Sequence, residues 1–307
     1  MGTQSELGAF LRSRRARLRP EDVGLPPHGT RRRVPGLRRE ELALLAGVSV
    51  THYTRLEQGQ STNASEAVLD AIARALRLSD DECAHLKDLA RPARPRRPQV
   101  PRPEHARPGL RNLLHAMGEV PAVVLDRRND VLAWNPLGHA LLAGHIDPDS
   151  PDSPTQRPNL TRMLFLDAHT RELYTEWEEE ARTALAALRL TAGRHPDDRH
   201  LAELIGQLAM NSPEFAALWS RHPVRNCTSG AKRFHHPLVG PMELEFESMH
   251  LSDASGQRLL AYSAEPGTPS EAALRLLFAA TATADAAKAG GRGGADVPSG
   301  LRSSGTA

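Results

Sequence analysis

The residues best placed for chemistry lie in one short stretch, REELALLAGVSVTHYTRLEQGQ, at positions 39–60. Gly47 tolerates the positive φ that ends one helix, and Ser49, two residues later, offers a hydroxyl that caps the next. If Tyr53 and Leu56 of that second helix face a core, a rotation of 100° per residue puts Thr51 and Arg55 on the opposite side. Thr54 and Gln58 then flank them, and Val50 is exposed at the N-terminus. Such a face suits the major groove of double-stranded DNA. A guanidinium at 55 can donate twice to guanine N7 and O6, and the methyls of Val50 and Thr51 can meet a thymine methyl. The expected base-reading set is Val50, Thr51, Thr54 and Arg55. Arg31, Arg32, Arg33, Arg38 and Arg39 lie just ahead of the unit; with Ser49 and Gln58 they are expected to meet phosphate, giving affinity and salt dependence but little sequence information. The plainer alternative is a helical hairpin with a solvated face whose arginines only confer solubility.

Charge distribution favours the first reading. The 307 residues carry a formal net charge of only +2, but residues 1–107 hold 20 Lys and Arg against 13 Asp and Glu, whereas the remaining 200 hold 19 against 24. A basic first third and an acidic remainder imply a polyanionic partner for one part only. The two cysteines, Cys83 and Cys227, fall in different expected domains, which excludes a disulfide framework. The first residues lack the apolar core of a signal peptide. No stretch approaches the roughly 20 apolar residues that span a bilayer. A cytoplasmic protein without membrane contact is expected.

The elements that must hold this face follow from periodicity and capping signals. Residues 5–18 repeat apolar side chains at helical spacing, two helices flank Gly47, and two more are expected at 65–76 and 79–90, the last with Ser79 and Glu82 in capping-box register. Leu42, Leu45 and Ala46 are expected to point inward, with Ala43 small where two axes cross. Residues 1–90 thus read as an all-α five-helix domain. Six prolines and six arginines alternate through 91–108, an extended linker. A second domain, 109–283, opens with a helix, and PAVVLDRRNDVLAWN reads as two strands about a polar turn. Asn135-Pro136 marks a helix start. Helices are expected near 159–165, 171–193, 197–211 and 213–222, with His195, Pro196 and Asp197 as turn and N-cap. The strands then return in VRNCTSGAKRFHHP, PMELEFESMHL and QRLLAYSAEPG, followed by a helix at SEAALRLLFAA. This order gives an α+β domain with an antiparallel five-stranded sheet and helices on one side. Residues 284–307, rich in Gly, Ala and Ser, read as a disordered tail.

Ala46, Gly47, Val48 and Ser49, followed by Leu56, Glu57, Gln58 and Gly59, resemble the helix-turn-helix of the Cro and lambda-repressor (Xre-like) family. The resemblance implies that Val50, Thr51 and Arg55 read bases. Tyr53 departs from the pattern, in which an aliphatic residue is more usual. A second resemblance covers most of the chain in order. RVPGLRREELA at 33–43, Pro121-Ala122, Trp134-Asn135, AGRHPDD at 192–198, SPEFAALWSRHPV at 212–224, HPLVG at 236–240 and AYSAEPGTPS at 261–270 are similar to MmyB-like regulators, a PAS-like family of actinobacterial transcription factors. It implies a small apolar, fatty-acid-like ligand held between sheet and helices. Trp134, Phe165, Trp177, Trp219, Phe246 and Tyr262 offer the large apolar surface for such a pocket, though aromatics at this spacing also build cores. A homodimer is expected, because one recognition helix spans too few bases for specificity.

No enzyme activity, cofactor or metal is expected. The sequence has no G-x-S-x-G, P-loop, G-x-G-x-x-G or C-x-x-C; His235-His236 and the 194–198 cluster lack partners at ligand spacing, and Glu176, Glu178, Glu179 and Glu180 read as a solvated helix face. The rival readings are a DNA-associated enzyme and a protein-binding scaffold.

Overall fold

Ser5 starts the first helix by accepting a hydrogen bond from the Gly8 N–H at 3.1 Å, and the same device recurs along the chain. In the computed structural model, which describes residues 5–25, 36–60, 64–91, 105–153, 155–252 and 256–292, five α-helices build the N-terminal domain. They are α1 (Glu6–Arg17), α2 (Arg39–Ala46), α3 (Val50–Glu57), α4 (Glu66–Ala75) and α5 (Asp80–Ala90). Ser49, Ser65 and Ser79 cap α3, α4 and α5, and Glu82 returns the bond to the Ser79 N–H at 3.1 Å. Phe10, Leu11, Leu37, Leu42, Ala43, Tyr53, Leu56 and Ile72 form the core. Leu45 is not among them: the core side of α2 carries Leu42, Ala43 and Ala46, and Leu45 faces outward. A Cβ on Gly8 would stand 2.1 Å from the Glu57 carbonyl oxygen, so only glycine lets α1 lie against the end of α3.

The second domain runs α6 (Pro108–Ala116), β1 (Ala122–Leu125), β2 (Val131–Trp134), α7 (Pro136–Ala143), α8 (Leu160–Leu166), α9 (Ala168–Leu173), α10 (Trp177–Arg194), α11 (Arg199–Asn211), α12 (Pro213–Trp219), β3 (Ser229–His236), β4 (Gly240–His250), β5 (Arg258–Ser263) and α13 (Pro269–Arg292). The strands form one antiparallel sheet in the order β2-β1-β5-β4-β3. Alternation along β4 turns Met242, Leu244 and Phe246 into the core and Glu243, Glu245 and Glu247 out. α7 and α13 pack against the inner face over Val123, Leu125 and Leu244.

Several expectations are corrected. Helices are not confined to one side: Leu110 and Leu114 of α6 cover the far face of β1 and β2 against Val124 and Leu132. The unbroken apolar run AVVL is what a strand buried on both faces needs. The single helix expected over 171–193 is two, because Tyr174 bridges to Phe234 and the Thr175 N–H donates to Arg233 O at 3.0 Å, capping the edge of β3. α12 stops at Trp219, and the N-cap of α11 is Asp198 rather than the preceding turn residues. α13 continues to Arg292, past the expected start of the tail at 284, through an alanine-rich segment of high helix propensity. Arg31, Arg32 and Arg33, positions 92–104 of the linker and 293–307 of the tail lie outside the described residues.

α8 and α10–α12 enclose a separate apolar layer of Leu164, Phe165, Trp177, Leu185, Leu204, Leu208 and Phe215.

Candidate functional site

The corner between α2 and α3 is tight because Gly47 adopts φ 65° and the Val48 N–H returns to Ala43 O at 3.0 Å. Ser49 Oγ then accepts from the His52 N–H at 3.1 Å. Tyr53 and Leu56 are fully buried. On the other side of the helix Val50, Thr51, Arg55 and Gln58 are exposed, as is Ser49, and Thr54 is half-buried. Among the described residues nothing pairs with the Arg55 side chain, so its five N–H groups face outward without an acceptor. Arg38 is exposed at the start of α2. Arg39 is placed differently from its expected role: its Nε and Nη2 donate to Glu57 Oε1 at 3.0 and 2.9 Å.

Glu57 is the hub beneath the recognition helix, a role the sequence reading missed. It is buried and accepts a two-pronged bond from Arg15, Nε to Oε2 and Nη2 to Oε1, both at 3.0 Å. Burial pushes its carboxyl pKa up, but the hydrogen bonds and charge of Arg15, then Arg39, outweigh this and hold it below the usual carboxylate range. The available signal was Glu57 itself, an acidic residue directly after the buried Leu56.

Tyr53 brings its buried hydroxyl beside this pair, and among the described residues no acceptor or donor meets it in hydrogen-bond geometry. Burial first, and the Glu57 charge second, push its pKa well up, so the phenol stays neutral. Tyr53→Phe is therefore expected to change stability by less than about 1 kcal/mol. A urea-unfolding loss of twice that would show the hydroxyl to be bonded.

Among the described residues the second domain offers several spaces for a small molecule. One of about 570 Å³ lies among α7, α9, the β3–β4 turn and α13, with apolar walls from Trp134, Pro136, Ala140, Leu238 and Leu277; another of about 550 Å³ lies between the end of β5 and α13, beside Val120, Leu274 and Phe278. Four imidazoles, His139, His145, His169 and His236, also line the first. His145 meets Asp167 at 2.8 Å and packs on the His169 ring at 4.1 Å. His236 is fixed as one neutral tautomer, its Nε2–H donating to Ala140 O at 3.0 Å while Nδ1 accepts from the Leu238 N–H at 3.3 Å. A smaller space, about 100 Å³, sits between sheet and helices, where Lys232, Glu180, Arg258, Tyr174 and Tyr262 stand among apolar walls from Leu125, Leu160 and Leu260. Glu180 thus turns inward to Lys232 instead of standing on a solvated face.

The six aromatics do not converge on one pocket. Trp134 walls the 570 Å³ one, and Phe246 and Tyr262 the small one. Phe165, Trp177 and Trp219 belong to the helical layer, where Phe165 meets Trp177 edge-on at 5.7 Å and Trp219 stacks on Phe215 at 5.5 Å. The pocket histidines come from scattered positions with no common period, so no local pattern announces them. Among the described residues no group of three or more His, Cys, Asp or Glu is arranged to hold a metal ion. No described helix is long and apolar enough to cross a membrane.

A family model for the MmyB-like transcription regulator ligand binding domain matches residues 106–277, and a model for a helix-turn-helix domain matches residues 6–86. No curated protein matches the chain. The two matches coincide with the α+β unit and its pockets and with the five-helix unit that exposes Arg55, and the chain belongs to the MmyB-like transcription regulators, with a helix-turn-helix DNA-binding domain ahead of the ligand-binding domain.

Proposed function

We propose that this regulator reads a two-fold DNA site as a homodimer and that a small apolar, fatty-acid-like molecule in the 570 Å³ pocket controls it. The observation that carries the DNA half is the open outer face of α3, where Val50, Thr51 and Arg55 stand exposed above a fully buried Tyr53–Leu56 side. Arg55 gives discrimination by paired donation to a guanine, and Arg38 adds phosphate contact. Two such helices about 34 Å apart would span successive major grooves. For the ligand half, the volume and apolar walls fall within the range of small-molecule sites.

Selection of DNA sites from a random pool by the full chain tests the reading. On the selected site Arg55→Ala is expected to weaken binding by about 1–3 kcal/mol while leaving random DNA nearly unaffected. Equal losses on both would count against base reading. The ligand half fails if native mass spectrometry with a panel of medium- and long-chain fatty acids finds none retained.

A further inference from the structure

We propose that the C-terminal domain orients the DNA-binding domain by direct contact, with Arg14 and Arg189 closing on His222 between them, and that this docked arrangement is the one that reads DNA. The proposal rests on the DNA reading above and adds what aims the recognition helix.

The loop from α12 to β3 turns at His222, whose φ of 50° is left-handed. Its carbonyl accepts from Arg14 Nη2 of α1 at 2.6 Å, and its ring Nδ1 accepts from Arg189 Nη1 of α10 at 2.9 Å. A guanidinium only donates, so Nδ1 is the unprotonated nitrogen. Both arginines are buried. Arg189 lies 3.7 Å from the Trp219 ring centre and meets Glu6 of α1 at 3.4 Å; Arg14 also meets Glu82 of α5 at 2.8 Å. The rest of the loop follows: Arg17 Nη2 donates to Arg221 O at 2.7 Å, the Asn226 N–H donates to Asp81 Oδ2 at 2.8 Å, and Val224 packs against the helical core of the N-terminal domain.

Steric fit agrees with the bonding. A Cβ on Gly193 would come 2.6 Å from Cε1 of the buried His85, so glycine there lets α10 seat on α5. The docked surface uses α1 and α5 and leaves the outer face of α3 open, which is why the docked state is competent to bind. The same loop leads into β3, whose far end, His236, walls the 570 Å³ pocket. Pocket and clamp therefore share one strand. A docked head holds its recognition helix at a fixed angle, whereas an undocked one must be ordered at the moment of binding.

Two variants of the full chain break the contact independently: Arg14→Met with Arg189→Met removes the clamp, and Gly193→Leu wedges α10 from α5. Each is expected to speed hydrogen exchange in residues 80–90 and 220–226, and to weaken binding to the selected site about tenfold with little change on random DNA. Conversely, Asp81→Cys with Asn226→Cys, made with Cys83→Ser and Cys227→Ser, should keep selected-site affinity when oxidised. Unchanged exchange in both variants, or loss of DNA binding in the oxidised protein, would overturn the proposal. Should the clamp variant not fold, the wedge and the crosslink still decide it. If the unaltered chain selects no site at all, the DNA reading fails and takes the second half of the proposal with it, while exchange still judges the docking.

Discussion

Glu57→Ala is expected to destabilise the DNA-binding domain by about 3–5 kcal/mol, because it strands a buried guanidinium. Arg15 loses both prongs of its ion pair, and Arg39 loses the acceptor that ties α2 to the end of α3. Urea unfolding combined with hydrogen exchange over residues 5–90 measures the effect; a loss below about 1 kcal/mol would show that the pair behaves as a surface salt bridge. A double replacement, Arg15→Met with Glu57→Met, should recover much of the loss, since apolar groups need no partners. The pH dependence has a definite sign. The folded carboxyl lies below its ordinary value of 4.5, so its contribution is fully present above that value and disappears as pH falls through the folded one. Wild type and Glu57→Gln should therefore converge in acid.

Asn135→Ala is the second large effect, about 3 kcal/mol in the C-terminal domain, combining a lost helix cap with buried backbone groups left unpaired. The buried amide oxygen accepts from the Ala122 N–H at 3.1 Å and the Gly138 N–H at 2.7 Å, while its nitrogen donates to Met117 O at 3.1 Å and Val120 O at 2.7 Å. One side chain thus joins the end of α6, the start of β1 and the first turn of α7. Gly138 completes the joint, because a Cβ there would stand 2.4 Å from Ala122 O. Asn135→Asp keeps the acceptor and loses the donors, so it should fall below wild type as well. A thermal midpoint of Asn135→Ala close to that of wild type would refute the four-bond account.

Features made within three or four residues were legible in the sequence. Gly47 and Ser49 form the corner they imply, and Ser79–Glu82, Asn135-Pro136 and Ser212-Pro213 cap the helices they announce. Outward placement of Thr51 and Arg55 follows from the helix period alone. What stayed hidden depends on partners far along the chain. Arg15 lies off the apolar spacing of residues 5–18, so nothing local marks it for burial, yet it is buried against Glu57, 42 positions later. The break between α9 and α10 comes from a bridge to Phe234. Aromatic side chains carry no mark that separates core from pocket, so the six candidates were divided only by the fold.

Val224 has a consequence for how such proteins diversify. Because Val224 of the ligand-binding domain packs against the apolar core of the helix-turn-helix domain, the two halves are not expected to exchange freely between relatives. A reader joined to a foreign sensor would meet a mismatched loop where Val224 and His222 should sit. Recombination is thus expected to preserve matched pairs, and changes in α1 or α5 should be accompanied by changes in residues 221–226.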